Sequence, residues 1–142
     1  MGSGVAKILR DADENIYTEY AKTYDRQGGK LHLGQVIAVK SEPLAKTVLN
    51  AITQENYGRD PNVVYVSYDA VRAAIRNIND MFTANDNASV AMPLIGAGLA
   101  NGRWSIISEI IKEEATNFQP VVYLVDGIVP DGIIPATEIV RA

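Results

Sequence analysis

Apolar residues recur every three or four positions in four segments, a pattern that predicts four amphipathic helices. The second helix is expected to end at Gly28 and Gly29, because glycine readily adopts the left-handed conformation found just after helices. The predicted apolar faces consist of Val5, Ile8 and Leu9; Ile16, Tyr17, Tyr20 and Tyr24; Val71, Ala74, Ile75, Ile78 and Phe82; and Trp104, Ile107 and Ile111. Charged residues occupy the opposite faces, so each helix is expected to pack one side against a core.

Shorter apolar runs predict strands at residues 35–39, 47–54, 90–95 and 120–125. The run at 47–54 is largely apolar, which predicts burial on both faces of a covered sheet. Strands that alternate with helices through short loops are typical of a three-layer α/β fold. The tail at 127–142 differs, since it contains Pro130, Gly132 and Pro135 before a short strand-like stretch at 138–140.

Composition narrows the class of protein. The chain has 142 residues, of which 47% are hydrophobic, enough for one domain with a buried core. A net charge of −4 argues against nucleic acid as a partner, since duplex binding needs a cationic face. No cysteine is present and His32 is the single histidine, which excludes thiolate and multi-histidine metal sites. No apolar run reaches the roughly 18–20 residues of a membrane span, so we expect a cytoplasmic protein with no membrane partner.

Two glycine-rich turns each precede a predicted helix. Gly2-Ser3-Gly4 stands before the first helix, and Gly96-Ala97-Gly98 stands between the strand at 90–95 and the fourth helix. Amide groups at a turn and a helix start lack intrachain partners, and together with the helix dipole they suit a phosphate group. The second turn lacks the dinucleotide spacing, because Asn101 occupies one glycine position. Taken singly, the second turn is more often structural, and the first is a weak signal because N-terminal Gly-Ser sequences are often just flexible.

Taken together, the two turns resemble the phosphate-binding loops of the macro domain family. Residues 2–6 read Gly-Ser-Gly-Val-Ala, and residues 92–100 read Met-Pro-Leu-Ile-Gly-Ala-Gly-Leu-Ala. The segments 33–36, 50–54 and 68–71 also fit the family, and the resemblance covers about residues 1–126. Residues 98–104 are most similar to the small ADP-ribose 1''-phosphate phosphatase branch, which is often of phage or microbial origin.

The resemblance implies an α/β/α sandwich with a mixed, mostly parallel sheet that binds ADP-ribose. Its implied activity is removal of the terminal phosphate of ADP-ribose 1''-phosphate, without a metal or cofactor. The alternative is a non-catalytic ADP-ribose-binding or assembly protein, and no catalytic residue is evident. The predicted ligand-binding residues are Gly2, Ser3, Gly4 and Val5 at the distal ribose and its phosphate; Ile95, Gly96, Ala97, Gly98 and Leu99 around the diphosphate; and Gln54 and Tyr57 in the pocket.

The chain also departs from the family pattern. The family's first two strands, with an Asp for the adenine and an Asn for the ribose, are absent before Gly2. Ala100 stands where a deacylating branch has an acidic residue. We therefore expect an N-terminally truncated domain at 1–126, or a fragment. The extension at 127–142 is expected to supply a substitute strand, within the chain or exchanged in a homodimer, or else to cover a sheet edge.

Four further side chains have plain structural interpretations. His32 is expected to be solvated, and Trp104 to anchor a helix in the core rather than stack on a base. Asn56 precedes a loop and either lines the ligand cleft or lies on the surface. Asp126 ends the last predicted strand, where it either flanks the adenine or faces solvent.

Overall fold

The computed structural model describes residues 4–98, 100–124 and 138–141, with the backbone alone at 124 and 138–141. A short 3-10 helix at Ala84–Asp86 precedes the third strand. In chain order the elements are α1 (Gly4–Ala12), α2 (Glu14–Arg26), β1 (Val36–Ser41), β2 (Lys46–Ala51), α3 (Tyr68–Asn79), β3 (Ala88–Met92), α4 (Trp104–Glu114), β4 (Phe118–Leu124) and β5 (Glu138–Arg141).

The N-terminal half forms one packing unit, in which α2 lies on a hairpin made of β1 and β2. Ile16 of α2 is fully buried against Ile37, Val39 and Val48 of the hairpin. The side chain of Asp13 accepts a hydrogen bond from the amide of Asn15 and so caps α2. The same carboxylate accepts a hydrogen bond of 2.7 Å from the Ser41 hydroxyl, which joins the start of α2 to the end of β1.

The larger core lies between two parallel strands and two helices. β3 pairs in parallel with β4, and α3 packs against α4. Ser67 caps α3 by accepting the amide hydrogen of Ala70. The buried members of this core are Val66, Val71, Ile75, Ile78, Met92, Ala100, Trp104, Ile107, Ile110, Ile111, Phe118 and Val122. Partly buried Val36 and Leu49 of the hairpin also pack against it, so the hairpin lies between the two cores and contacts both.

All four predicted helices are present, but the predicted packing of α1 was wrong, because Val5 and Ile8 of its apolar face are 45% and 67% exposed. α2 ends at Arg26 and is followed by Gly28 and Gly29, both with positive φ. Trp104 is 5% exposed and lies in the larger core, as expected for a helix anchor. His32 is exposed, also as expected. No helix among the described residues has the length and apolar character needed to cross a membrane.

Two strand predictions were wrong. β2 is not fully buried on both faces. Val48 is its single buried residue and faces α2, whereas Leu49 on the opposite face is only partly buried against the larger core. The third strand spans Ala88–Met92 rather than 90–95, since Pro93 has no N–H to donate and a turn follows it. In this strand Met92 is buried, whereas Ser89 and Ala91 are exposed.

The α/β class is confirmed, with a difference in the sheet. Instead of one mixed sheet, the described strands form an antiparallel pair, β1-β2, and a parallel sheet in the order β3-β4-β5. Among these residues no strand bridges β2 and β3. β5 pairs with β4 from Val121↔Glu138 to Leu124↔Arg141, so the C-terminal segment contributes an edge strand. The division at residue 126 stays a prediction, and Asp126 lies outside the described residues.

Candidate functional site

The second glycine-rich turn occupies residues 93–102, between the end of β3 and the start of α4. Its backbone folds back on itself through short hydrogen bonds. The Ala97 amide donates to the Leu94 carbonyl at 3.1 Å, and the Gly102 amide donates to the Gly96 carbonyl at 2.7 Å. These hydrogen bonds within the turn fix the conformation of its backbone.

Among the residues of this turn that were predicted to bind the diphosphate, two have amides with no acceptor among the described residues. The Ile95 and Ala97 amides donate to carbonyls within the turn, whereas those of Gly96 and Gly98 donate to no described group. Of the described residues predicted to surround the diphosphate, only Gly96 and Gly98 therefore have an amide available to bind it. Residue 99 lies outside the described residues.

The start of α4 adds further unpaired donors. Arg103 occupies the N-cap position, and its side chain makes no capping hydrogen bond. Among the described residues, the amides of Trp104 and Ser105 have no acceptor. Since the positive end of the helix dipole lies at the same place, this end of α4 favours an anion.

The glycines of the turn differ in what requires them. Gly96 has a φ of +72°, and a Cβ there would lie 2.8 Å from Val66 Cγ2. A Cβ on Gly102 would lie 2.5 Å from the Gly96 carbonyl oxygen. Both glycines are therefore required by the fold. Gly98 is exposed, its φ is not positive, and a Cβ there would meet nothing within 4 Å.

Hydrogen bonds join the segment at residues 60–65 to this turn. The sequence did not predict these contacts. The side-chain amide of Asn101 donates to the carbonyls of Asp60 and Val63, at 2.9 and 2.7 Å. The Ala100 carbonyl accepts the amide of Tyr65 at 2.9 Å. The dipeptide Asn101-Gly102 signals a turn, but no local signal indicates a partner about forty residues away.

The other predicted site residues occupy varied positions. Gln54 forms an isolated bridge with Val66, and its side-chain amide donates to the Asn56 carbonyl at 2.9 Å. Tyr57 is 90% exposed on the loop that follows. α1 begins at Gly4, and Val5 in its first turn is 45% exposed. Gly2 and Ser3 lie outside the described residues, so no distance joins the first turn to the second.

Ionisable groups are scarce at this site. Residues 93–102 contain no titratable side chain, and Arg103 follows directly. Within the described residues, no three His, Cys, Asp or Glu side chains cluster as metal ligands would. The electrostatic character of the turn therefore comes from backbone dipoles.

One open groove lies away from the predicted residues. It has a volume of about 440 Å³ and lies between the N-terminal halves of α3 and α4, where Tyr68, Arg72 and Glu109 contribute to its wall. None of the predicted ligand-binding residues lines it.

Comparison with known proteins places this architecture in a family. The family model for the macro domain matches residues 1–111, a range that ends within α4. No curated protein shows a significant match to the chain. The chain is similar to a crystallised protein of unknown function from Bacteroides thetaiotaomicron, with 30% identity, a TM-score of 0.69, and coverage of 86% of this chain and 78% of that one.

A second crystal structure of a protein from the same organism is also similar. It shows 30% identity and a TM-score of 0.70, and the match covers 86% of this chain and 79% of that one. The range matched by the family model includes the glycine turn and most of α4. The chain therefore belongs to the macro domain family, a family of ADP-ribose-binding domains.

Proposed function

We propose that the chain binds ADP-ribose with its diphosphate on the turn at residues 96–98 and the start of α4. The observation that carries this proposal is Gly98. The described fold places no atom where its side chain would be, and its backbone angles do not require glycine. A ligand that approaches the backbone closely does require it.

The unpaired amides supply the energy for this contact. Gly96, Gly98 and the first residues of α4 offer donors that no described group uses. A hydrogen bond to a charged group contributes roughly 1.5–3 kcal/mol, more than a neutral one. The net charge of −4 gives no long-range attraction for an anion, so recognition depends on these local donors.

The first turn completes the proposed site. Gly2, Ser3, Gly4 and Val5 would contact the distal ribose and its phosphate, at the start of α1. Because the same helix-start chemistry operates here as at α4, two amide-lined turns would hold the two ends of one anionic ligand.

We further propose that the bound substrate is ADP-ribose 1''-phosphate and that its terminal phosphate is hydrolysed. Water would attack the phosphorus, the bond between phosphorus and the ribose oxygen would break, and that oxygen would take up a proton. Backbone amides would stabilise the charge that develops on the phosphoryl oxygens. With no acid or base in residues 93–102, the substrate's own phosphate would assist the proton transfer.

The same scarcity of ionisable groups favours a second candidate function, namely binding without catalysis. A domain that captures ADP-ribose needs the amide donors and the open space at Gly98, but it needs no general base. The two functions share a ligand site and differ in turnover.

Titration calorimetry with ADP-ribose tests the binding proposal. We expect a saturable heat with a stoichiometry of one, and no heat at millimolar ligand would overturn the proposal. Release of inorganic phosphate from ADP-ribose 1''-phosphate, followed over time at fixed protein concentration, then separates the two candidates. Multiple turnovers indicate the phosphatase, whereas binding without release indicates the non-catalytic domain.

A further inference from the structure

Tyr57 is a large aromatic residue with almost no contact to the rest of the protein. Its side chain is 90% exposed, the highest value among the exposed large hydrophobic residues. An aromatic ring that is exposed to water contributes none of the buried area by which such residues normally stabilise a fold. Exposed aromatic side chains on anchored loops commonly serve in recognition.

The loop that carries Tyr57 is fastened on both sides. Before it, the Gln54 side chain donates to the Asn56 carbonyl at 2.9 Å. After it, the Asp60 amide donates to the Tyr65 hydroxyl at 3.3 Å. Gly58 packs so closely on the Tyr65 ring that a Cβ there would overlap the hydroxyl. The backbone beside Tyr57 is thus held in place while its side chain is left free.

Asn101 connects this loop to the glycine turn. Its side-chain amide donates to the carbonyls of Asp60 and Val63, and its own amide donates to the Gly98 carbonyl at 3.0 Å. Its φ of +59° is a conformation that asparagine tolerates better than most residues. One residue therefore bonds both to the loop and to the turn with the unpaired amides.

We propose that Tyr57 is a stacking platform for the nucleobase of the bound nucleotide and that Asn101 is its positioning residue. This inference rests on the proposed binding of ADP-ribose to the turn. Tyr57 is three residues from Asp60, so its Cα lies within about 10 Å of the residue that Asn101 holds. The base is the planar, aromatic group of the ligand, and an exposed aromatic side chain stacks on the face of such a group.

Substitution of Tyr57 tests the platform, with ADP-ribose and inorganic pyrophosphate as probes. Pyrophosphate carries the diphosphate charge without a base. We expect Tyr57→Ala to weaken ADP-ribose binding by about tenfold to hundredfold and to leave pyrophosphate binding unchanged. Tyr57→Phe should restore the affinity, because it keeps the ring. Val64→Ala, a second exposed apolar position nearby, is the control and should bind as the wild type does.

The outcomes separate this inference from the proposed function. A wild-type protein that fails to bind ADP-ribose overturns the proposed function and the inference with it. A wild type that binds, together with a Tyr57→Ala variant of equal affinity, overturns the inference alone. An equal loss for ADP-ribose and pyrophosphate also overturns it, because the effect would then not involve the base.

A double-mutant cycle tests Asn101. Asn101→Gly permits the same positive φ and removes both side-chain hydrogen bonds. We expect it to weaken ADP-ribose binding several-fold and pyrophosphate binding hardly at all. In the Tyr57→Ala background it should cause no further loss, since the ring it positions is gone. Losses that add in the double variant would show that Asn101 does not act through Tyr57.

Discussion

The three glycines between β3 and α4 show how one residue type can serve two purposes within a single turn. Gly96 and Gly102 allow the backbone to approach Val66 and Ile107 closely, so the fold itself requires them. Gly98 faces open space. The sequence predicted that glycines would line a phosphate site, but it could not distinguish these roles, because the distinction depends on which atoms the folded chain brings near.

At this scale we predict that Gly98→Ala separates binding from stability. Its φ is compatible with alanine and nothing lies within 4 Å of the added methyl, so the unfolding temperature should stay the same or rise slightly. The methyl would occupy the space proposed for the diphosphate, and ADP-ribose affinity should fall at least tenfold. Thermal unfolding and calorimetry on the same sample measure both effects.

Gly96→Ala, two positions away in the same turn, is the matched control. Its positive φ and the contacts of 2.8 Å to Val66 and 3.0 Å to Ile107 predict a loss of stability of about 1–3 kcal/mol. If Gly98→Ala bound ADP-ribose as tightly as the wild type, the ligand would not lie against this turn.

At the scale of secondary-structure elements, α3 and α4 are joined by a cluster of ion pairs between two arginines and two glutamates. Arg72 donates to Glu113 at 2.6 Å and to Glu114 at 2.7 Å, and Arg76 donates to Glu114 at 2.8 Å. Hydrogen bonds from Arg76 and Arg72 hold the pKa of Glu114 below its ordinary value of 4.5. This cluster therefore stabilises the packing of the two helices while Glu114 is ionised.

The lowered pKa predicts how stability depends on pH. The contribution of Glu114 is fully present above pH 4.5, its ordinary pKa, and is lost as the pH falls through the lower value of the folded state. We expect Glu114→Gln to lower the unfolding temperature modestly at pH 7. The difference from the wild type should shrink below pH 4.5, where the wild-type carboxylate becomes protonated.

Thermal unfolding of both proteins between pH 3 and pH 7 measures this difference. Glu109→Gln, which removes one carboxylate from α4 outside the cluster, controls for the change in net charge. A gap between Glu114→Gln and the wild type that stays constant down to pH 3 would contradict the assignment.

The sequence predicted the helices more accurately than the strands. Helices were predicted well because their signals are local: the apolar period, the Ser67 cap and the glycines after Arg26 all lie within a few residues. β2 was mispredicted because the burial of a strand depends on which partner covers each face. The hydrogen bonds from Asn101 to the carbonyls of Asp60 and Val63 were missed for the same reason, since these residues approach Asn101 only in the folded chain.

For the whole molecule, the family was predictable and the arrangement of the strands was not. Ordered motifs at the two turns predicted the macro domain, which the family model confirms over residues 1–111. The division of the described strands into two sheets depends on long-range pairing that no motif encodes. The parallel pairing of β5 with β4 lies beyond the range matched to the family.

The central claim is that ADP-ribose binds on the amides of the turn before α4. Heteronuclear NMR of the wild-type protein during titration with ADP-ribose observes these amides directly. We predict that the resonances of Gly96 and Gly98 shift in a saturable manner, with one dissociation constant. If the resonances of Gly96 and Gly98 stay in place while those of Arg72 and Glu109 in the groove shift, or if nothing shifts at millimolar ligand, the claim is contradicted.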